Sequence, residues 1–355
     1  MKENRSIRHF NRPLFFHSLV VECTDRCNAA CDICYQSSSP KGASFSGSAT
    51  DLAIEVIERA LREGMEIQQL HKRFHLAGGE AFLDVDRCVR LFEHARKCGY
   101  HSLTSTTNGF WAKNKARGLA VAKRVRKAGL NSIELSTDHW HLPYVSAATI
   151  DNCIAICRET GISVNLRTLA TLDHTHHEIL SRLAPESIDH VTRITCGPVF
   201  SVGRARDVLP LDRFVRRGGE GSCYSVLNLA INPAGDVFPC CAGLDHTDGM
   251  LFGNVHHKPL EEIVRGMDQS KILRTLVFFG ARHFIPILHD AGLEIPAIET
   301  YGNSCDLCVT IFSNPRHVAA IREYHARLDH RALAAATAHL ESRLSAECAF
   351  ISPHA

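Results

Sequence analysis

The sequence predicts an α/β chain, a partial (β/α)6 barrel of TIM-like type, followed by a small α+β unit and a C-terminal helix. Three observations lead there. Short β-rich runs at 18–24, 73–77, 101–107, 132–137, 163–168 and 191–197 alternate with helix-like runs at 50–64, 84–98, 112–128, 147–160 and 174–184. Such alternation builds a parallel sheet from βαβ units, and six strands stop short of an eight-stranded barrel. The polar motifs fall just after the strands, at the carboxyl ends where such sheets bind ligands. Past residue 203 the alternation stops: 204–218 is charged and carries Pro210, and reads as the link to a second unit.

Composition narrows the class. At 355 residues and 45% hydrophobic, the chain can bury a sizeable core, enough for one large domain and one smaller one. A net charge of +2 without a long basic run gives no nucleic-acid footprint. No stretch of 18 apolar residues offers a membrane span. The N-terminal MKENRSIRHFNRPLFF is basic, but the apolar run after it is broken by His17 and leads to Glu22, so it does not read as a signal peptide. Fifteen cysteines in short-spaced groups point to metal ligation in a reducing cytoplasm rather than to a secreted disulfide framework. His174, His176 and His177 have no partner cysteine and read as polar surface.

The first strand, with Leu19-Val20-Val21 and a packed Cys23, runs into Cys27–Tyr35, CNAACDICY. Cys27, Cys31 and Cys34 have C-x3-C-x2-C spacing, so one tight loop aims three thiolates at one centre. Zinc and iron–sulfur sites usually take four protein ligands. Three with no close fourth leave one iron of a [4Fe-4S] cluster open to a small molecule; the bland alternative is a zinc knuckle or three buried thiols. After the second strand comes Ala77-Gly78-Gly79-Glu80, where two glycines permit close backbone approach and Glu80 can accept hydrogen bonds from an ammonium group. After the third comes Thr106-Thr107-Asn108-Gly109, whose small polar side chains suit a ribose or carboxylate. The fourth ends in Ser136-Thr137-Asp138, with His139 and His141 beyond. The fifth carries Asn165 and Arg167 on one face, facing a ligand or, for Arg167, a surface acid. The sixth is followed by Gly197-Pro198 and Val202-Gly203, which offer backbone contacts.

The second unit has its own cysteines. Cys223 precedes the turn Asn232-Pro233-Ala234-Gly235 and then Cys240-Cys241, a hairpin pattern C-x11-G-x4-C; Cys305 and Cys308 follow far downstream as C-x2-C. Four of these thiols can close around one metal centre, zinc or iron–sulfur. The G-x4-C spacing makes Cys240 the ligand and leaves Cys241 as a fifth thiol. A positioned thiol can give a hydrogen atom to a carbon radical; the other readings are a buried packing cysteine, or a register in which Cys241 is the ligand. Segments 251–255, 259–279, 282–292 and 315–346 read as a return strand and helices.

The cysteine loop and the strand-end motifs resemble the radical S-adenosylmethionine (SAM) enzymes, and residues 219–314 look like the twitch domain, the short form of the SPASM extension. From about 18 to 326 the chain resembles the peptidyl epimerases that make epipeptides, through Asn108-Gly109-Phe110-Trp111, Asp138 with His141, Ser201-Val202-Gly203, Cys240-Cys241, and Cys305/Cys308 followed by Phe312-Ser313-Asn314. The resemblance implies a segment 1–17, a radical SAM barrel over 18–203, the link 204–218, the twitch domain and a helix and tail over 315–355. It implies two [4Fe-4S] clusters. One binds SAM on Cys27, Cys31 and Cys34; the other is auxiliary, on Cys223, Cys240, Cys305 and Cys308. Gly78, Gly79 and Glu80 would hold the SAM amino group, and Tyr35 and Val202 would lie by the adenine. Thr107, Asn108, Ser136, Asp138, Asn165 and Arg167 would complete the SAM contacts. Arg167 stands where a small apolar residue is expected in those epimerases, a departure from their pattern on this strand. Cys241 matches the hydrogen-atom donor. The substrate implied is a ribosomally made peptide, and the partner a reductant such as flavodoxin or ferredoxin. Competing readings are a dehydrogenase or epimerase of a sugar or aminocyclitol, a peptide cross-linking enzyme, and a non-catalytic iron–sulfur or zinc protein.

Overall fold

One nine-stranded sheet organises the described residues of this computed structural model, namely 12–42, 51–215, 227–240, 243–244 and 247–328. Its strands are β1 (Ser18–Glu22), β2 (Arg73–Ala77), β3 (Ser102–Thr107), β4 (Ser132–Ser136), β5 (Ser163–Ala170), β6 (Arg193–Pro198), β7 (Asn228–Ile231), β8 (Asp236–Phe238) and β9 (Gly253–Asn254). Their spatial order is β6-β5-β4-β3-β2-β1-β7-β8-β9. The first six pair in parallel, as the alternation predicts, and the sheet does not close among the described residues.

The crossover helices are α1 (Ile54–Glu66), α2 (Val85–Cys98), α3 (Lys115–Ala128) and α4 (Ala147–Thr160), then the short α5 (His176–Leu180) and α6 (Pro185–His190). Three of the long helices start where a side chain satisfies a free backbone N–H. Asp84 accepts from Arg87 N at 2.9 Å, Asn114 from Arg117 N at 3.0 Å, and Ser146 from Thr149 N at 3.3 Å.

The strands alternate. Leu19, Val21, Phe74, Leu76, Leu103, Ile133, Leu135, Val164 and Leu166 form one face and pack, fully buried, against Ile57, Leu61, Leu91, Phe92, Val125 and Ile154 of the helices. The other face carries His75, Thr104, Thr106, Glu134, Ser136, Asn165 and Arg167. Register places Glu134 beside Thr106 on one side and Asn165 on the other, and Ser136 beside Arg167. A parallel sheet covered on both faces reads as unbroken apolar strands. Here a period of two leaves a polar concave face, which a half-open barrel presents to a ligand.

The second half is built onto the barrel's own first strand. β7 pairs in parallel with β1, Ser18 opposite Asn228 and Val21 opposite Ile231, and the Ser18 hydroxyl donates to Asn228 Oδ1 at 2.8 Å. β8 and β9 follow antiparallel. Asn232 Oδ1 makes the expected turn by accepting from the N–H groups of Ala234 and Asp236. The link 204–218 contains a helix, α7 (Arg204–Val208), and residues 216–218 lie outside the described residues. The expected helix over 259–279 is two, α8 (Leu260–Gln269) and α9 (Lys271–Phe279). Ser270 between them is extended, and its hydroxyl accepts from Leu273 N at 3.1 Å, starting a new helix. Then come α10 (Ile285–Asp290), α11 (Ser304–Ser313) and α12 (Pro315–Ala326); the helix expected to 346 is described only this far. No helix among the described residues is long and apolar enough to cross a membrane.

Candidate active site at the mouth of the barrel

The loop after β1 brings the three cysteines to the carboxyl end of the sheet. Cys27 and Cys31 are buried and Cys34 nearly so. Backbone N–H groups already point at the sulfurs: Ala29 N donates to Cys27 Sγ at 3.4 Å and Ser38 N to Cys34 Sγ at 3.3 Å. Burial pushes both thiols up, and at Cys27 the Glu80 carboxylate pushes further. Buried thiols so placed give up their protons on binding a metal cation.

Two neighbours fix this loop. The glycines after β2 press against it: Gly79 N donates to Thr24 O at 2.6 Å and Glu80 N to Arg26 O at 2.8 Å. A Cβ on Gly78 would sit 2.7 Å from Thr24 O, and one on Gly79 would collide with the Arg26 carbonyl. The close approach expected of Gly78 and Gly79 is therefore made first to the cysteine loop. From the other side comes Arg204, which sequence reasoning placed in the link. Its guanidinium donates to Cys31 O and Ser37 O at 2.6 Å each and to Ser38 O at 2.7 Å, and its backbone N donates to Cys34 O at 3.0 Å. Gly203 has a left-handed φ of 55°, and a Cβ there would meet the carbonyls of Cys34 and Tyr35. A basic run after a sixth strand is a weak signal, and only the fold shows it gripping the loop.

These walls enclose a cavity of about 300 Å³. Of the residues expected from sequence, Cys27, Cys31, Cys34, Tyr35, Gly78, Gly79, Thr107, Asn108, Ser136, Asp138, Arg167, Val202 and Cys305 line it. Glu80, Asn165, Cys240 and Cys308 do not. Asn165 lies deeper on the concave face, beside Glu134. Glu80 is fully buried behind the wall. Its Oε1 accepts from Phe82 N at 3.1 Å and Thr107 Oγ1 at 2.8 Å, and its Oε2 from Asn108 N at 2.7 Å. Burial raises its pKa to about 7 against these donors. In this geometry Glu80 orients Thr107 and Asn108. Asn108 in turn donates to Asn28 Oδ1 at 2.9 Å, and Trp111, stacked on Phe82 with ring centroids 5.5 Å apart, donates to Thr107 Oγ1 at 3.2 Å.

Tyr35 lines the cavity while its hydroxyl donates to the buried Glu22 at 2.8 Å. Asp138 accepts from Trp140 N, His141 N and His141 Nδ1, the last at 2.8 Å. Burial works against charge on His141, but Asp138 and the Cys31 sulfur outweigh it and hold the ring well above the ordinary histidine range. Arg167 pairs with Glu134 at 2.8 Å, so its expected partner is an acid of the neighbouring strand, inside the barrel.

Gln36, absent from the sequence reading, is 4% exposed and lines the cavity, and its amide Nε2 has no hydrogen-bond partner. A buried donor without a partner costs free energy until something fills the space. Together with three convergent thiols and a polar concave face, it gives the cavity the donor set that a cluster-bound amino acid and nucleoside require.

The second cysteine group is only partly described. Cys223 and Cys241 lie outside the described residues. Cys240 and Cys308 are both buried in the main core, and Cys305, in the first turn of α11, faces the cavity. Gly243, in left-handed backbone, carries the chain between α11 and the barrel: a Cβ on it would lie 3.0 Å from Val309 and 3.2 Å from Val202.

Comparison with known families agrees with this arrangement. Residues 21–184 match the radical SAM superfamily and residues 223–284 match SPASM, an iron–sulfur cluster-binding domain. The chain thus carries a radical SAM domain and a SPASM-type iron–sulfur domain, which imply a SAM-binding [4Fe-4S] cluster with SAM and an auxiliary iron–sulfur cluster. Over 314 residues it is 23% identical to YydG of Bacillus subtilis (strain 168), whose name places it in peptide biosynthesis; the match covers 86% of this chain and 95% of that protein. It is 27% identical over 197 residues to the 7,8-dihydro-6-hydroxymethylpterin dimethyltransferase of Methanocaldococcus jannaschii, covering 52% of this chain and 36% of that one. Among solved structures, the radical SAM enzyme coproporphyrinogen III oxidase (HemN) of Escherichia coli matches with a TM-score of 0.39 at 15% identity, over 60% of this chain and 52% of that chain.

Proposed function

We propose that this enzyme epimerises L-residues of a ribosomally made peptide to D-residues, with Cys241 as the hydrogen-atom donor. The observation that carries the reading is one cavity bordered on one side by Cys27, Cys31 and Cys34 and on the other by Cys305 and Val202, the latter against Gly243. The first cysteine group and Cys305 of the second thus share one cavity. Cys27, Cys31 and Cys34 would hold the cluster, which with SAM and an electron from a reductant would supply radical chemistry able to remove a hydrogen atom from a substrate carbon.

The chain's own residues do the rest. Arg204, Gly78 and Gly79 hold the cysteine loop in place. Thr107, Asn108 and Ser136, with Gln36 Nε2, offer the polar contacts that orient SAM in the cavity, and Tyr35 and Val202 form its walls. Holding substrate in a dry, fixed geometry turns an unselective radical to one C–H bond. The Cys241 thiol would then give its hydrogen atom to the opposite face of the substrate carbon, leaving a thiyl radical that one electron relayed by the auxiliary cluster and one solvent proton would return to the thiol. Cys223, Cys240, Cys305 and Cys308 hold the auxiliary cluster in this reading. A cytoplasmic setting and a small electron-transfer protein as reductant go with it.

A second reading draws support from Cys305 at the cavity edge: an auxiliary cluster there would be placed to accept an electron from a substrate radical, as in a dehydrogenase or a cross-linking enzyme. The variants Cys27→Ala and Cys241→Ala separate the possibilities. Cys27→Ala should form no 5′-deoxyadenosine; if it does, the loop is misassigned. Cys241→Ala should keep its iron, still form 5′-deoxyadenosine and yield no D-residue. Loss of about half the iron instead would make Cys241 a ligand, at four irons per cubane. Normal product from this variant would rule out the donor role.

A further inference from the structure

One edge of the sheet has no partner among the described residues, and it leads to the cavity. β6 pairs with β5 on one side and ends the strand order on the other. We propose that an extended segment of the peptide substrate docks on this edge as an added strand and so carries the residue to be modified into the cavity. The edge takes this role only if the substrate is the peptide proposed for the enzyme.

Register shows which backbone groups are open. N–H and C=O groups turn to the two sides of a strand in alternation. Thr137 N donates to Arg167 O at 2.9 Å, so odd-numbered residues of β5 turn their backbone groups to β4 and even-numbered ones turn theirs to β6. Val199 N donates to Ala170 O at 2.8 Å, which fixes the phase of β6: Arg193, Thr195 and Gly197 face β5. Thr192, just before the strand, still turns its N–H back to Val164 O. The N–H groups of Ile194 and Cys196, and the carbonyls of Ile194, Cys196 and Pro198, therefore point away from the sheet. No described residue pairs with them. Pro198 fits this phase, since its missing N–H falls on the outer side, where a strand tolerates proline.

Native proteins guard such an edge with charges, bulges or a covering element. The charge in β6 is Arg193 at its start, and Ile194-Thr195-Cys196-Gly197 carries none. Thr195 and Cys196, whose side chains point to opposite faces, are both exposed.

What lies at the end of the edge identifies its occupant. Leu169, opposite Gly197, lines the cavity, and past Pro198 the chain runs into Phe200 and Val202 on the same wall. Just beyond the strand ends, Leu172 N donates to Arg213 O, which brings Leu172, 64% exposed, to the turn that holds Leu211, 68% exposed. An extended chain paired along β6 thus leads from solvent to the cavity, with apolar surface at the rim for its side chains. The bonds of an added strand go to the main chain, so they hold a peptide without dictating its sequence, and alternate side chains face the barrel. A sugar-like substrate has no row of peptide groups to pair with this edge.

The test is anisotropy of a fluorescently labelled synthetic peptide, taken from any short peptide encoded beside the gene, on the anaerobic holoenzyme with SAM. Cys196→Pro removes one outward N–H and leaves the bonds to β5; it should weaken binding about tenfold. Cys196→Ala, which keeps the N–H, should bind as the parent does. Both should keep the parent's iron content and its peptide-free formation of 5′-deoxyadenosine. If Cys196→Pro loses iron, the parent protein decides, with peptides N-methylated one residue at a time: affinity should fall at every second residue across a run of about four. Equal binding by Cys196→Pro and the parent, or N-methyl effects without that period, would overturn the proposal. So would a concentration-dependent dimer that Cys196→Pro abolishes, read by light scattering, which would give the edge to a second copy of this chain. A peptide that binds with this pattern and leaves without a D-residue would overturn the epimerase reading alone. A D-residue formed without the pattern would overturn the docking edge alone, and a parent protein that binds no such peptide would overturn both.

Discussion

At the scale of single residues, Arg204 and Glu80 act on the cavity without being cluster ligands. Arg204 spends its guanidinium on three carbonyls of the cysteine loop. Hydrogen bonds to a charged donor are worth about 1.5–3 kcal/mol each, so Arg204→Ala removes a substantial share of what shapes that loop. The variant should fold, keep the auxiliary iron and lose the SAM-binding cluster, as measured by iron content and the electron paramagnetic resonance signal of the reduced protein. Lysine at this position, a point charge without the planar fork, should rescue little. Glu80 makes a pH-dependent contribution. Its folded pKa is raised to about 7 from an ordinary 4.5, chiefly by burial, so the cofactor-free folded protein binds a proton that the unfolded chain releases. The residue's contribution to stability is full below pH 4.5 and falls as pH rises through about 7. Denaturant midpoints of the cofactor-free protein should therefore drop more from pH 5 to pH 8 in the parent than in Glu80→Gln, which cannot ionise. Equal slopes would show that Glu80 stays charged. The cysteines were legible in sequence because their spacing is local. Arg204, Gln36 and the inward pairing of Arg167 with Glu134 were not, because each depends on a partner brought near only by the fold.

At the scale of elements, the barrel strands and long crossover helices lie close to where periodicity puts them, since alternation and N-capping are short-range signals. The splice between halves is of another kind. β1 and β7 pair across roughly two hundred residues, and the apolar stretch Leu19–Val21 reads equally well as an inner or an edge strand. Its inner place has a consequence. Without residues 227–328, β1 would present a bare edge with Val20 no longer covered by Ala230, the kind of edge that pairs with other chains. Residues 1–215 expressed alone should aggregate, as read by size-exclusion chromatography with light scattering; a soluble, cooperatively folded monomer would show that the barrel does not depend on the splice. The break of the 259–279 helix at Ser270 went unread for a local reason: serine is tolerated within helices and starts them equally well, and the packing decides.

At the scale of the whole molecule, one continuous sheet runs through both halves, Cys27, Cys31, Cys34 and Cys305 line one cavity, and the polar concave face gives that cavity its chemistry. The class of enzyme was legible in the sequence through motif spacing, and the architecture follows from it. The particular reaction rests on one spare thiol and on which way an electron leaves the substrate. Reduced enzyme, SAM and a candidate peptide substrate, taken from any short peptide encoded beside the gene, should be incubated in D2O and the product analysed by mass spectrometry. Epimerisation with Cys241 as an exchangeable donor gives one deuterium gained per modified residue and no other change in composition. Loss of two hydrogens would contradict it and assign the auxiliary cluster the part of electron acceptor.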